Sequence, residues 1–151
     1  MTTYVPAALR DIVIARAGER CEYCQLPQIA SFAPLEIEHI IAEKHGGTTE
    51  EHNLALACSL CNRYKGTDLG SLDPLNGRLV PFFHPRNDRW STHFRLVEGR
   101  LIPRSAKGRV TERVLRLNTP ERVAERLLFV EAGLYTVFSG IGTKPRASEG
   151  A

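Results

Sequence analysis

The four cysteines of this 151-residue chain fall into two Cys-x-x-Cys pairs, Cys21 with Cys24 and Cys58 with Cys61. Two thiolates three residues apart on a tight turn can face one metal ion. Two such knuckles complete a tetrahedral set of four sulfurs, the donor set of a structural zinc site. The 33 residues between the pairs exceed common zinc-ribbon spacings, which is accounted for if a hairpin over residues 36–57 lies between the knuckles. Four thiolates close the coordination sphere, so this zinc would stabilise the fold and take no part in chemistry.

The compartment bears on that reading. The N-terminal MTTYVPAALRDIV has no basic stretch followed by a sustained apolar one, so no signal peptide is expected. Nothing approaches the ~20 apolar residues of a membrane helix. A cytoplasmic location follows as an expectation, and in a reducing cytosol paired cysteines favour a metal over disulfides.

The net charge of +3 conceals a division. Residues 1–70 carry 6 Lys/Arg against 9 Asp/Glu, and residues 71–151 carry 14 against 8. An acidic half that could hold a metal, joined to a basic half, suits an anionic partner.

Patterning predicts an α+β fold. Residues 6–17 read as a helix with Pro6 in its first turn, Leu9, Ile12 and Val13 on one face, and Gly18 at its end. Residues 35–41 read as a strand, Gly46-Gly47 as a turn with positive φ, residues 53–57 as a second strand, and a helix begins near Cys61. Glu38 and His39 would project to opposite sides of an ideal strand, so both reach one centre only if the strand ends or twists near His39. Residues 66–81 are turn-rich and read as a linker. Residues 90–97 and 100–103 read as a hairpin across Glu98-Gly99, followed by helices over about 108–117 and 120–132, the second capped by Thr119-Pro120. The division expected is a core over residues 1–70, an extension over 71–139 packed on it, and a disordered tail over 140–151.

Glu38-His39-Ile40-Ile41, Gly46-Gly47, Asn53-Leu54 and Cys58-x-x-Cys61-Asn62-x-x-Lys65-Gly66 together resemble the HNH endonuclease motif of the zinc-containing ββα-metal type. The resemblance covers about residues 21–66 and implies a zinc-stapled ββα core, here with an N-terminal helix and a C-terminal hairpin plus helix pair. A weaker resemblance links residues 82–133 to the C-terminal region of some bacterial HNH proteins.

The family likeness implies that His39 is the general base, Asn53 the structural asparagine, and Glu38 and Asn62 the ligands of a catalytic divalent metal. Phosphodiester hydrolysis needs a deprotonated water and a cation opposite the developing charge, and imidazole is suited to taking a proton near neutral pH. Glu38 and Asn62 offer the hard oxygen donors that Mg²⁺ or Mn²⁺ prefers. Two positions depart from the common pattern: Asn62 stands where histidine is frequent, and Ala42 where proline is.

The implied substrate is DNA, double-stranded and read by backbone geometry more than by base sequence. Arg63, Lys65, His45, Arg86 and Arg89 are candidate phosphate contacts, and a two-fold homodimer would be the simple route to cutting both strands. Trp90 lies among the basic residues 84–93, where packing is at least as natural a role as nucleic-acid contact. The alternative is a zinc-stabilised binding module without catalysis. A nuclease acting on RNA is also compatible with these residues.

Overall fold

The computed structural model describes residues 3–137. Helix α1 (Ala7–Ala17) starts after Pro6 and closes at Gly18. Its inward face runs Leu9, Val13 and Ala17, four residues apart, while Ile12 is 42% exposed. Leu9 and Val13 thus face inward as expected, and Ile12 does not. Strands β1 (Glu36–His39) and β2 (Leu54–Ala57) form an antiparallel ladder with Glu36 opposite Ala57 and His39 opposite Leu54. Helix α2 (Ser59–Lys65) follows at once, and the Cys58 sulfur accepts from the Cys61 amide at 3.4 Å. This is the strand–turn–strand–helix unit expected between and after the knuckles.

β1 is shorter than the expected 35–41 because Asn53 takes over beyond His39. The Ile40 amide donates to the Asn53 carbonyl at 2.9 Å. The Asn53 side chain accepts from the Ile41 amide and donates to the Ile41 carbonyl, each at 2.9 Å. Its Nδ2 also donates to the Thr48 carbonyl at 2.9 Å. Only a carboxamide can both accept and donate in this way.

The glycine turn departs from expectation too. Gly46 has φ +88°, but Gly47 does not share that conformation. Gly47 is required by space: a Cβ there would lie 1.7 Å from the Ile41 carbonyl oxygen and 2.8 Å from Asn53 Nδ2.

Residues 66–81 are no mere linker. They contain the hairpin β3 (Gly70–Leu72) and β4 (Leu79–Pro81), turned through Asn76-Gly77. The side chain of Asp73 is enclosed at its base and accepts from Arg109 Nε and Nη2 at 2.9 and 2.8 Å and from the Leu75 amide at 3.0 Å. Residues 90–93, expected in a strand, form the short helix α3 (Trp90–His93). Strands β5 (Phe94–Val97) and β6 (Arg100–Pro103) then pair across Glu98-Gly99, whose φ values of 49° and 82° are those of a tight two-residue hairpin turn.

Helix α4 (Ala106–Val114) begins before Gly108, because the Ser105 hydroxyl caps it by accepting from the Gly108 amide at 3.0 Å. Helix α5 (Pro120–Glu131) is capped by Thr119 as expected. Asn118, between them, repeats the Asn53 device: it accepts from the Leu101 amide at 2.9 Å and donates to the Leu101 carbonyl at 2.7 Å.

One apolar core joins the two halves of the chain, with Val13, Leu54 and Leu56 meeting Phe83, Phe94, Leu101, Val110 and Leu115. Phe83 sits edge-on to Tyr23 and Phe94, with ring centroids 6.4 and 5.8 Å away. Trp90 is buried against Phe94, and its Nε1 donates to the Tyr23 carbonyl at 2.8 Å. Tyr135 donates through its hydroxyl to the Cys24 carbonyl. The tail expected over 140–151 lies outside the described residues.

Candidate active site and zinc centre

The two knuckles meet. Cys21, Cys24, Cys58 and Cys61 are all buried, and their sulfurs lie within 4.8 Å of one another. Cys24 Sγ and Cys58 Sγ are 3.7 Å apart. That separation is far too long for a disulfide of about 2.05 Å, and it matches the ~3.8 Å edge of a tetrahedron with metal–sulfur bonds of ~2.3 Å. The sulfurs therefore fit zinc. Backbone amides bracket the site: Cys24 N donates to Cys21 Sγ at 3.5 Å, and Cys61 N to Cys58 Sγ. A cleft of about 220 Å³ beside the cluster is lined in part by Cys24, Phe32, Cys58, Leu60 and Arg122.

β1 and α2 run side by side, joined through Asn62 and Lys65. Asn62 Nδ2 donates to Glu36 Oε2 at 2.7 Å, and Lys65 Nζ donates to Glu38 Oε2 at 3.0 Å. Strand residues two apart share a face, and helix residues three apart are neighbours, so each carboxylate finds one partner. Glu38 is buried, and its Oε1 accepts from the Tyr23 hydroxyl. Burial pushes the Glu38 carboxyl up from its ordinary range, opposed by the Lys65 ammonium and the Tyr23 hydroxyl. Burial also pushes the Tyr23 hydroxyl up, and the Glu38 charge adds to it.

His39 ends β1. Its Nε2 lies 2.9 Å from Thr49 Oγ1 and 3.4 Å from Glu43 Oε1. A cleft of about 410 Å³ is lined by Glu38, His39, Glu43 and Asn62 among others. It thus brings together three side chains singled out in the sequence, while the fourth, Asn53, lies behind it and pins Ile41.

The candidate phosphate contacts divide. Arg63, Arg89 and His45 are exposed, and His45 Nε2 lies 3.1 Å from the Thr67 carbonyl. Lys65 is only 2% exposed, and its ammonium is held by Glu38 and, at 3.2 Å, by the His39 carbonyl. Arg86 is enclosed against the Glu22 carboxylate. Neither Lys65 nor Arg86 is on the surface where a phosphate contact would place it. Sequence shows a basic residue but not the carboxylate that receives it, here Glu38 for Lys65 and Glu22 for Arg86.

Four participants escaped the sequence reading. Glu36 stands two residues before Glu38, a spacing that does signal a shared strand face. Tyr23 lies inside the first knuckle. Thr49 follows the glycine turn. Arg122 had no signal at all.

The HNH endonuclease family model matches residues 21–68. Residues 21–68 are an HNH domain. Its match spans both cysteine knuckles, β1, β2 and α2. No curated protein and no solved structure matches the chain. The HNH domain is the acidic part of the sequence, and its helix α2 carries Asn62 and Cys61, with Cys58 at its N-cap. Among the described residues, no helix is long and apolar enough to cross a membrane.

Proposed function

We propose that the chain is a metal-dependent endonuclease that hydrolyses DNA phosphodiester bonds. The observation that carries this reading is the single cleft lined by Glu38, His39 and Asn62. His39 is the general base that takes a proton from the attacking water, its ring oriented by Thr49 and Glu43. Glu38 and the Asn62 amide oxygen are the ligands of Mg²⁺ or Mn²⁺, a hard donor pair suited to such ions. Both Glu38 oxygens already accept one hydrogen bond each, and a carboxylate has lone pairs for more. When bound, the ion supplies the positive charge that stabilises the phosphate and the leaving 3′ oxygen. Arg63, Arg89 and His45 contact the backbone of double-stranded DNA with little base preference, and a two-fold dimer would present one centre to each strand.

A second reading, a zinc-stabilised binding module without catalysis, draws on the burial of Glu38 and its engagement by Lys65 and Tyr23.

Cleavage of supercoiled plasmid in Mg²⁺ or Mn²⁺ separates the two. Wild type should cut, and His39→Ala with its zinc retained should lose at least ~100-fold in rate. A zinc-loaded wild type that cuts neither DNA nor RNA with any divalent ion would establish the binding module.

A further inference from the structure

Arg122 belongs to the first turn of α5, more than sixty residues beyond the last cysteine, yet its guanidinium reaches the sulfur cluster. Nη2 lies 3.2 Å from Cys61 Sγ and 3.8 Å from Cys58 Sγ. Nη1 donates to the Leu115 carbonyl at 2.9 Å and to the Arg116 carbonyl at 3.2 Å. The backbone between α4 and α5 thus fixes one end of the planar fork, and the other end is aimed at two sulfurs. α5 is itself set by its Thr119 cap and by Arg126, which donates to the Gly99 and Leu117 carbonyls at 2.7 and 2.8 Å.

Four thiolates around a dication leave two surplus negative charges on cysteines that are all buried. Groups bonded to metal ligands govern how firmly those ligands hold the metal, and a guanidinium donating to an anion makes a strong, directional bond.

We propose that Arg122 is an outer-sphere member of the zinc site, neutralising one surplus charge and orienting the Cys61 sulfur, so that zinc retention and the seating of α5 stabilise each other. The coupling is reciprocal by thermodynamic necessity: whatever Arg122 adds to zinc affinity, zinc adds to the docking of α5. The site is then built from both ends of the chain, and the segment beyond the HNH domain has a defined task. The proposal concerns the structural metal and stands or falls independently of catalysis.

Full-length, zinc-loaded protein is challenged with a chromogenic zinc chelator, comparing wild type, Arg122→Met and Arg122→Lys. Met should weaken zinc retention by ~10- to 100-fold, and Lys, which keeps the charge, should recover part of that loss. Cobalt-substituted protein gives a second readout, because the sulfur-to-cobalt absorption bands respond to a hydrogen bond on sulfur and should shift in both variants. Limited proteolysis gives the reverse direction: stripping zinc from wild type should speed cleavage within residues 120–131. Retention by Arg122→Met equal to wild type, with unshifted cobalt bands, would overturn the proposal. Where Met fails to fold, Lys decides alone: retention and bands identical to wild type would overturn it equally.

Discussion

The side-chain amide of Asn62 donates to Glu36 at 2.7 Å, and this contact sets which way the amide faces. With its NH₂ end on a carboxylate, the oxygen end points elsewhere and is available to a cation. If Asn62 holds the catalytic metal, Glu36→Ala should free the amide to rotate and weaken Mn²⁺ binding by about tenfold, the low end for loss of a ligand's supporting partner. Mn²⁺ titration followed by electron paramagnetic resonance reads this directly, and zinc content should not change. Glu36→Gln, which can still accept from Asn62, should retain most of the affinity.

Lys65 and Glu38 form an ion pair almost wholly removed from solvent, with side chains 2% and 4% exposed. Removing one partner leaves the other charge buried and alone, so Lys65→Met should cost about 3–5 kcal/mol of stability. Replacing both, as Lys65→Met with Glu38→Leu, should recover much of that loss. Urea unfolding of the two variants tests the pair, and a double variant no more stable than the single would contradict it.

Asn53 makes two donor bonds and one acceptor bond to the loop that follows His39. A carboxylate keeps the acceptor and loses both donors. Asn53→Asp should therefore be as damaging as Asn53→Ala, each by roughly 3 kcal/mol or more at ~1–3 kcal/mol per buried group left unpaired. A thermal scan that finds Asp close to wild type would refute the clamp.

Asp73, which does not line the cleft, supplies an acid-sensitive contact. Hydrogen bonds from Arg109 and the Leu75 amide lower its pKa from the usual 3.8 to about 2. A carboxyl with a depressed folded pKa stabilises the native state at higher pH, and that contribution fades as pH falls from about 4 toward 2. The melting temperature of wild type should accordingly drop through this window more steeply than that of Asp73→Asn. Parallel acid limbs in the two proteins would exclude the contribution.

Where a residue's partner is close in sequence, the sequence could be read well. The knuckles, the two short strands, the Glu98-Gly99 turn and the Thr119 cap depend on local spacing or local backbone chemistry, and the structure has them. An alternating pattern that suggests a strand continues through residues 90–93, whereas burial of Trp90 against Phe94 selects a helical turn. β3 and β4 were hidden because three-residue strands carry almost no periodicity. In the cleft, the chemically distinctive residues could be named in advance, but their partners could not. Nothing local says that Lys65 turns inward to Glu38, or that Arg122 crosses to Cys61.

Three two-stranded ladders, each of three or four residues, make up the regular β-structure of the described residues, and none joins another. Edges this short give a foreign strand almost nothing to pair with. Asn53 and Asn118 extend two of these ladders by a side chain where another fold would use more strand. The hazard on overheating or metal loss is therefore not the native edges but the apolar run of residues 54–57, which becomes available to other chains only once β2 is released.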